Sequence, residues 1–138
     1  REKVEDILGL PRREAAKKMF AAIAQKNASA AITLVQELTD AGYDLNYVSK
    51  LLMRYFRTAL LLKTDASLKS FVEQEFLPDE YECITANLPA LSQEFLSRST
   101  TTIFDNMQRF KKTPIPQLPL EVTIVELVAS LEVGNNPV

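Results

Sequence analysis

Residues 44–63, DLNYVSKLLMRYFRTALLLK, decide the fold. Asp44 is a natural N-cap, because its carboxylate can accept from free N–H groups of the turn that follows. The stretch holds strong helix formers and no Gly or Pro. At about 100° per residue, Leu45, Val48, Leu51, Leu52, Tyr55, Phe56, Ala59, Leu60 and Leu62 fall within an arc of roughly 180°. A surface helix shows a stripe of only about 100° or slightly more. This helix therefore needs neighbours on at least two sides, as the centre of an all-α core. Its remaining strip carries Lys50, Arg54 and Arg57 without an acid, and strands Tyr47 and Leu61 among them. The wide face concerns the fold; the basic strip concerns partners.

The surroundings fit a single all-α domain, a compact bundle of about six to seven helices. With 138 residues the chain can bury roughly two-thirds of its unfolded surface, so no disulfide or metal staple is needed. Val4, Ile7 and Leu8 keep a helical spacing up to Gly9, which predicts a short entry helix over 1–10 with a Gly C-cap. Pro11 suits the start of a second helix, running to about Gln25 with Ala15, Ala16, Met19, Phe20 and Ile23 inward. Asn27 can cap the next helix, Ala28–Ala41, with Ala31, Ile32, Val35 and Leu38 on one face. Gly42 stands where a left-handed C-cap is wanted.

After the central helix, 64–67 reads as a loop and Leu68–Phe76 as a short helix with Leu68, Phe71, Val72 and Phe76 inward. Pro78 opens a helix to about Asn87, and Pro89 another to about Lys111, with a weak Ser/Thr spot at 99–102. The prolines of 112–119 predict a rigid, extended connector. Leu120, Ile124, Leu127, Val128 and Leu131 then keep a helical period, with Val122 and Val125 off the main stripe. That breadth predicts cover on two faces, by the core or by another subunit. The last residues, GNNPV, read as frayed.

Composition removes most chemistry. There is no His, so the commonest general base and the usual hydrolytic triads are missing. One Cys and no His rule out ordinary structural zinc sites and a disulfide framework. Cys83 reads as a small core residue, and its solitude fits a reducing cytoplasm. The three glycines are far apart, which excludes a Gly-rich phosphate loop. No apolar run reaches the roughly 18 residues of a membrane span. No catalytic, cofactor-binding or metal-binding residue is expected in this stretch of chain.

The net charge of -2 favours neither nucleic acid nor an acidic membrane, but its distribution is uneven. Residues 1–27 hold seven bases and four acids, whereas Glu73–Glu82 holds five acids and no base. Arg12, Arg13, Lys17 and Lys18 could meet phosphates; such faces are ordinarily just solvated. The strip Lys50, Arg54 and Arg57 can pair with the Glu73–Glu82 acids within the fold or across a subunit boundary. The candidate interface is thus Tyr47, Lys50, Arg54, Arg57, Leu61, Glu73, Glu75, Val122 and Val125.

Four segments, VEDILGL at 4–10, ELTDAGYDL at 37–45, LLMRYFRTALLLK at 51–63 and QLPLEVTIVEL at 117–127, together resemble the third domain of the bacterial DNA polymerase III gamma/tau subunit. The resemblance covers nearly the whole chain in order and spacing, and none of its motifs is catalytic. It implies a clamp-loader collar: a helical domain that follows an AAA+ ATPase module and holds gamma/tau copies, delta and delta-prime in a ring-like pentamer, cytoplasmic and active in DNA replication. It implies that ATP and zinc belong to the upstream module, and that this domain makes no direct contact with DNA or membrane. The start at Arg1 rather than Met agrees with a fragment lacking that module. Two other readings stay open: a helical nucleic-acid-binding domain using the basic first helix, and a helical lid of an enzyme whose catalytic part lies elsewhere.

Overall fold

The computed structural model describes residues 4–134, with side chains described over 11–132. Seven α-helices follow in order: α1 (Val4–Ala24), α2 (Ala28–Asp40), α3 (Leu45–Thr64), α4 (Lys69–Val72), α5 (Pro78–Asn87), α6 (Gln93–Arg109) and α7 (Leu118–Gly134). Among the described residues there is no strand. The bundle is all-α, as the periodicity requires.

Helix α3 is the centre. Leu45, Val48, Leu51, Leu52, Tyr55, Phe56, Ala59 and Leu62 are buried, and α1, α5 and α6 pack around it. An aromatic chain shows how the elements lock together. Phe20 of α1 lies 5.5 Å from Tyr55 and 5.0 Å from Phe56, measured between ring centres. Phe76 meets Tyr55 edge-on at 5.2 Å, and Phe95 of α6 approaches Phe56 at 6.2 Å. Such tilted and edge-on pairs add about 0.5–1.5 kcal/mol each beyond the area they bury. Helix α7 closes the bundle against α6, α2 and α1, turning Leu120, Ile124, Leu127, Val128 and Leu131 inward.

The helix ends follow local chemistry. Asp44 accepts from the Asn46 N–H at 3.0 Å, Asn27 from the Ala30 N–H at 3.1 Å, and Ser92 from the Phe95 N–H at 3.0 Å. Gly42 adopts φ +81°, with its own N–H on the Thr39 carbonyl and the Tyr43 N–H on the Leu38 carbonyl. That is a Schellman ending, which needs a left-handed residue. Helix α1 ends the same way, but there Lys26 takes the left-handed position, φ 62°.

Several expectations are corrected. The boundary predicted at Gly9–Pro11 is not there, because α1 runs unbroken from Val4 to Ala24 with Pro11 inside it. Local stop signals worth about 1 kcal/mol for Gly and about 3 for Pro are overridden there. The inward placing of Val4, Ile7 and Leu8 lies outside the described side chains, and most of the frayed tail, 135–138, lies outside the described residues. Phe71, expected inside, is 73% exposed. The predicted helix 68–76 is instead a single α turn between two 3-10 turns, Ala66–Leu68 and Glu73–Glu75. A 3-10 turn advances 120° per residue, so a phase counted at 100° drifts, and only Val72 points fully into the core.

Pro89 starts a 3-10 turn, Leu88–Ala90, and α6 begins only after Ser92. Its Ser/Thr spot does not interrupt it: Ser99 and Thr100 return their hydroxyls to the Leu96 and Ser97 carbonyls. The Pro-rich connector is folded into turns rather than extended. Thr113 N–H reaches the Phe110 carbonyl, Ile115 N–H the Thr113 hydroxyl, and Leu118 N–H the Ile115 carbonyl.

Candidate subunit interface

The strip on α3 is shared between the fold and the surface. Tyr47 is half-buried, with the Arg12 guanidinium 4.2 Å from its ring centre. Arg54 and Arg57 both reach Glu75, at 3.5 and 3.6 Å, and Arg54 also lies 5.9 Å from the centre of the Phe76 ring. The two arginines thus pin the Glu73–Glu75 turn to the central helix. Their side chains are about half exposed, so each pair contributes only roughly 0.5 kcal/mol. Glu73 pairs within its own segment, at 4.0 Å from Lys69. Lys50 stands exposed on a cleft, and Leu61 lines a hollow beside α6. The structure therefore brings Arg54, Arg57 and Glu75 together, leaves Lys50 exposed and packs Leu61, partly buried, against the core.

Val122 and Val125 lie apart from this strip, on α7. Val122 is half-buried and Val125 is 53% exposed. The Glu73–Glu82 run is likewise divided rather than pooled. Asp79 accepts from Lys17 at 2.9 Å, and that bond holds its carboxyl below the usual carboxylate range while raising Lys17. Glu80 is 3% exposed and takes both Arg13 Nε, at 3.0 Å, and Arg13 Nη2. It also reaches back to the Leu77 N–H at 2.8 Å, capping α5.

Helix α5 is therefore bolted to α1 by two charge pairs. Three of the four bases of the first-helix cluster, Arg13, Lys17 and Lys18, have acidic partners, and Arg12 covers Tyr47. Cys83 is half-buried beside these pairs, and burial pushes its thiol up.

Sequence reasoning missed two features. The Arg13–Glu80 pair joins residues 67 apart, which no local pattern announces. Asn106, 1% exposed, donates to Thr123 at 2.9 Å and to Glu126 at 3.0 Å, tying α6 to α7. A signal for Asn106 existed: it sits on the apolar face, three residues after Ile103. Among the described residues no helix is long and apolar enough to cross a membrane.

A protein-family model described as DNA polymerase III subunits gamma and tau domain III matches residues 1–136, and the chain belongs to that family. Searches of curated proteins and of solved structures return no match.

Proposed function

We propose that this gamma/tau domain III is the oligomerisation collar of a DNA polymerase III clamp loader, joining subunits so that upstream AAA+ modules can load the sliding clamp. The family match over 1–136 carries the reading. The partners are other gamma/tau copies and the related delta and delta-prime subunits. ATP and zinc belong to the upstream module, and the setting is the cytoplasm. Tyr47, Lys50, Arg54, Arg57, Leu61, Glu73, Glu75, Val122 and Val125 are the residues proposed to border subunit contacts.

Geometry supports a joining role in a simple way. Phe104 on α6 and Val125 on α7 are large apolar side chains more than half exposed, available to a partner's surface. The nucleic-acid reading loses ground by comparison. Three of the four bases it would use are neutralised by Glu14, Asp79 and Glu80.

The test is charge reversal at Arg54 and Arg57 in the longer gamma/tau subunit, read by sedimentation velocity of the assembled complex. Because the Glu75 pairs are exposed and weak, the domain should keep its melting temperature within a few degrees while assembly weakens. Unchanged assembly argues against this strip. Steeply salt-dependent DNA binding by the domain alone would instead revive the nucleic-acid reading.

A further inference from the structure

Resting on the reading that this domain joins subunits, we propose a head-to-tail contact between two copies of the chain. The outer face of α7 on one copy lies in the valley between α3 and α6 of the next.

The valley is built by two antiparallel neighbours. At one end Gln93 donates to the Thr64 hydroxyl at 2.9 Å; at the other, Leu45 and Ser49 of α3 border Met107 of α6. The surface between them opens twice. One opening, about 780 Å³, is bordered by Leu60, Leu61, Ser97 and Thr101, and by the mutually paired Glu94 and Arg98. The second, about 490 Å³, is bordered by Ser49, Lys50, Gln108 and Lys111, and by Asp44, whose carboxylate caps α3.

Phe104 lies on the stripe of α6 that links the two openings, three residues after Thr101 and four before Gln108. Its ring is 52% exposed. The stripe Ser97, Thr101, Phe104 and Gln108 carries no charge, unlike an ordinary solvated helix face. Lys50 and Lys111 stand at the cleft end, and neither has an acidic partner among the described residues.

Helix α7 is complementary in both respects. Its inner face is spent on the core, while Val122, Val125 and Ala129 form an outer apolar ridge at i, i+3 and i+7. Its charges are Glu121, Glu126 and Glu132, with no base. Glu126 accepts from Asn106, whereas Glu121 and Glu132 have no cationic partner among the described residues.

An apolar ridge flanked by acids matches a valley whose Glu94–Arg98 pair cancels at one end and whose two lysines outnumber Asp44 at the other, the geometry of a helix laid in a groove. Packing α7 on α7 would oppose acid to acid. The 73–82 segment is a poorer occupant, because Glu75, Asp79 and Glu80 are already paired inside their own chain. A ridge and a valley are different surfaces, so the contact is heterologous and can propagate from copy to copy.

Complementation tests it. Phe104→Asp spoils only the valley, and Val125→Asp only the ridge. Both sites are exposed, so circular dichroism should show both chains folded. By sedimentation equilibrium, the wild-type chain should gain mass with concentration up to about 1 mM, the weak end of specific association. Each variant alone should stay monomeric at the same concentration. Their equimolar mixture should form a 1:1 dimer, since the intact ridge of one meets the intact valley of the other.

Wild-type association that survives both substitutions overturns the assigned faces and leaves the joining role standing. Variants that are each monomeric but fail to pair when mixed overturn the head-to-tail geometry. A wild-type chain monomeric throughout overturns the proposal. If the longer gamma/tau subunit also fails to associate with itself or with its relatives, the joining reading falls with it.

Discussion

Replacing Glu80 by Ala should be the most damaging single surface-helix change in this domain. The carboxylate takes Arg13 Nε at 3.0 Å, Arg13 Nη2 and the Leu77 N–H at 2.8 Å, and it is 3% exposed. Breaking a buried ion pair from one side costs about 3–5 kcal/mol, because the other charge is left without a partner. Here the Arg13 side chain keeps 27% of its exposure and can recruit water, which lowers the cost. Losing the cap on α5 adds about 1 kcal/mol. The expected total is about 3 kcal/mol, or roughly 10 °C in melting temperature for a domain of this size.

Urea unfolding followed by circular dichroism measures it, with the m-value held as a check on the denatured state. A double-mutant cycle with Arg13→Ala should return a coupling above about 1.5 kcal/mol. The apolar pair Arg13→Met with Glu80→Leu should recover most of the loss, since it leaves no charge unpaired. A cost below about 1 kcal/mol for Glu80→Ala, or strict additivity with Arg13→Ala, would refute the argument that this pair bolts α5 to α1.

Tyr55 and the helix ends give two further tests. Burial holds the Tyr55 hydroxyl protonated well above its ordinary range, and that hydroxyl has no hydrogen-bond partner among the described residues. Above about pH 10 the unfolded chain loses this proton while the native state keeps it, so stability is full below that pH and falls as pH rises further. The slope from this group approaches 1.4 kcal/mol per pH unit, and Tyr55→Phe should flatten it at little or no cost at pH 7; an unchanged alkaline limb in the variant counts against it. Lys26 holds a left-handed φ that costs an L-residue roughly 1 kcal/mol, so Lys26→Gly should raise stability by about that much. Gly42→Ala should lower it by a similar amount, and thermal melts that move the two in the same direction would contradict the assigned caps.

How far the sequence reaches depends on how local the deciding interaction is. The inward faces of α1, α2, α3 and α7 are legible because a helix fixes its own phase. Phe20, Val35, Phe56 and Ile124 are buried as their 3.6-residue spacing requires. Asp44, Asn27 and Gly42 are legible for the same reason, since a cap acts on backbone groups within one turn. Short irregular segments are less so: Phe71 faces water because one α turn between 3-10 turns keeps no fixed phase.

The charges were decided by tertiary structure alone. The sequence shows a basic strip on α3, a basic cluster on α1 and an acidic run at 73–82, and leaves open which meets which. Folding divides the acids, giving Glu80 and Asp79 to α1 and Glu75 to α3, because ion pairing depends on distances of a few ångströms between residues far apart in the chain. That division leaves Lys50 exposed, with no acidic partner among the described residues. The residue pattern identifies an all-helical domain of a known family; only the packed structure separates the charges the fold consumes from those it leaves exposed.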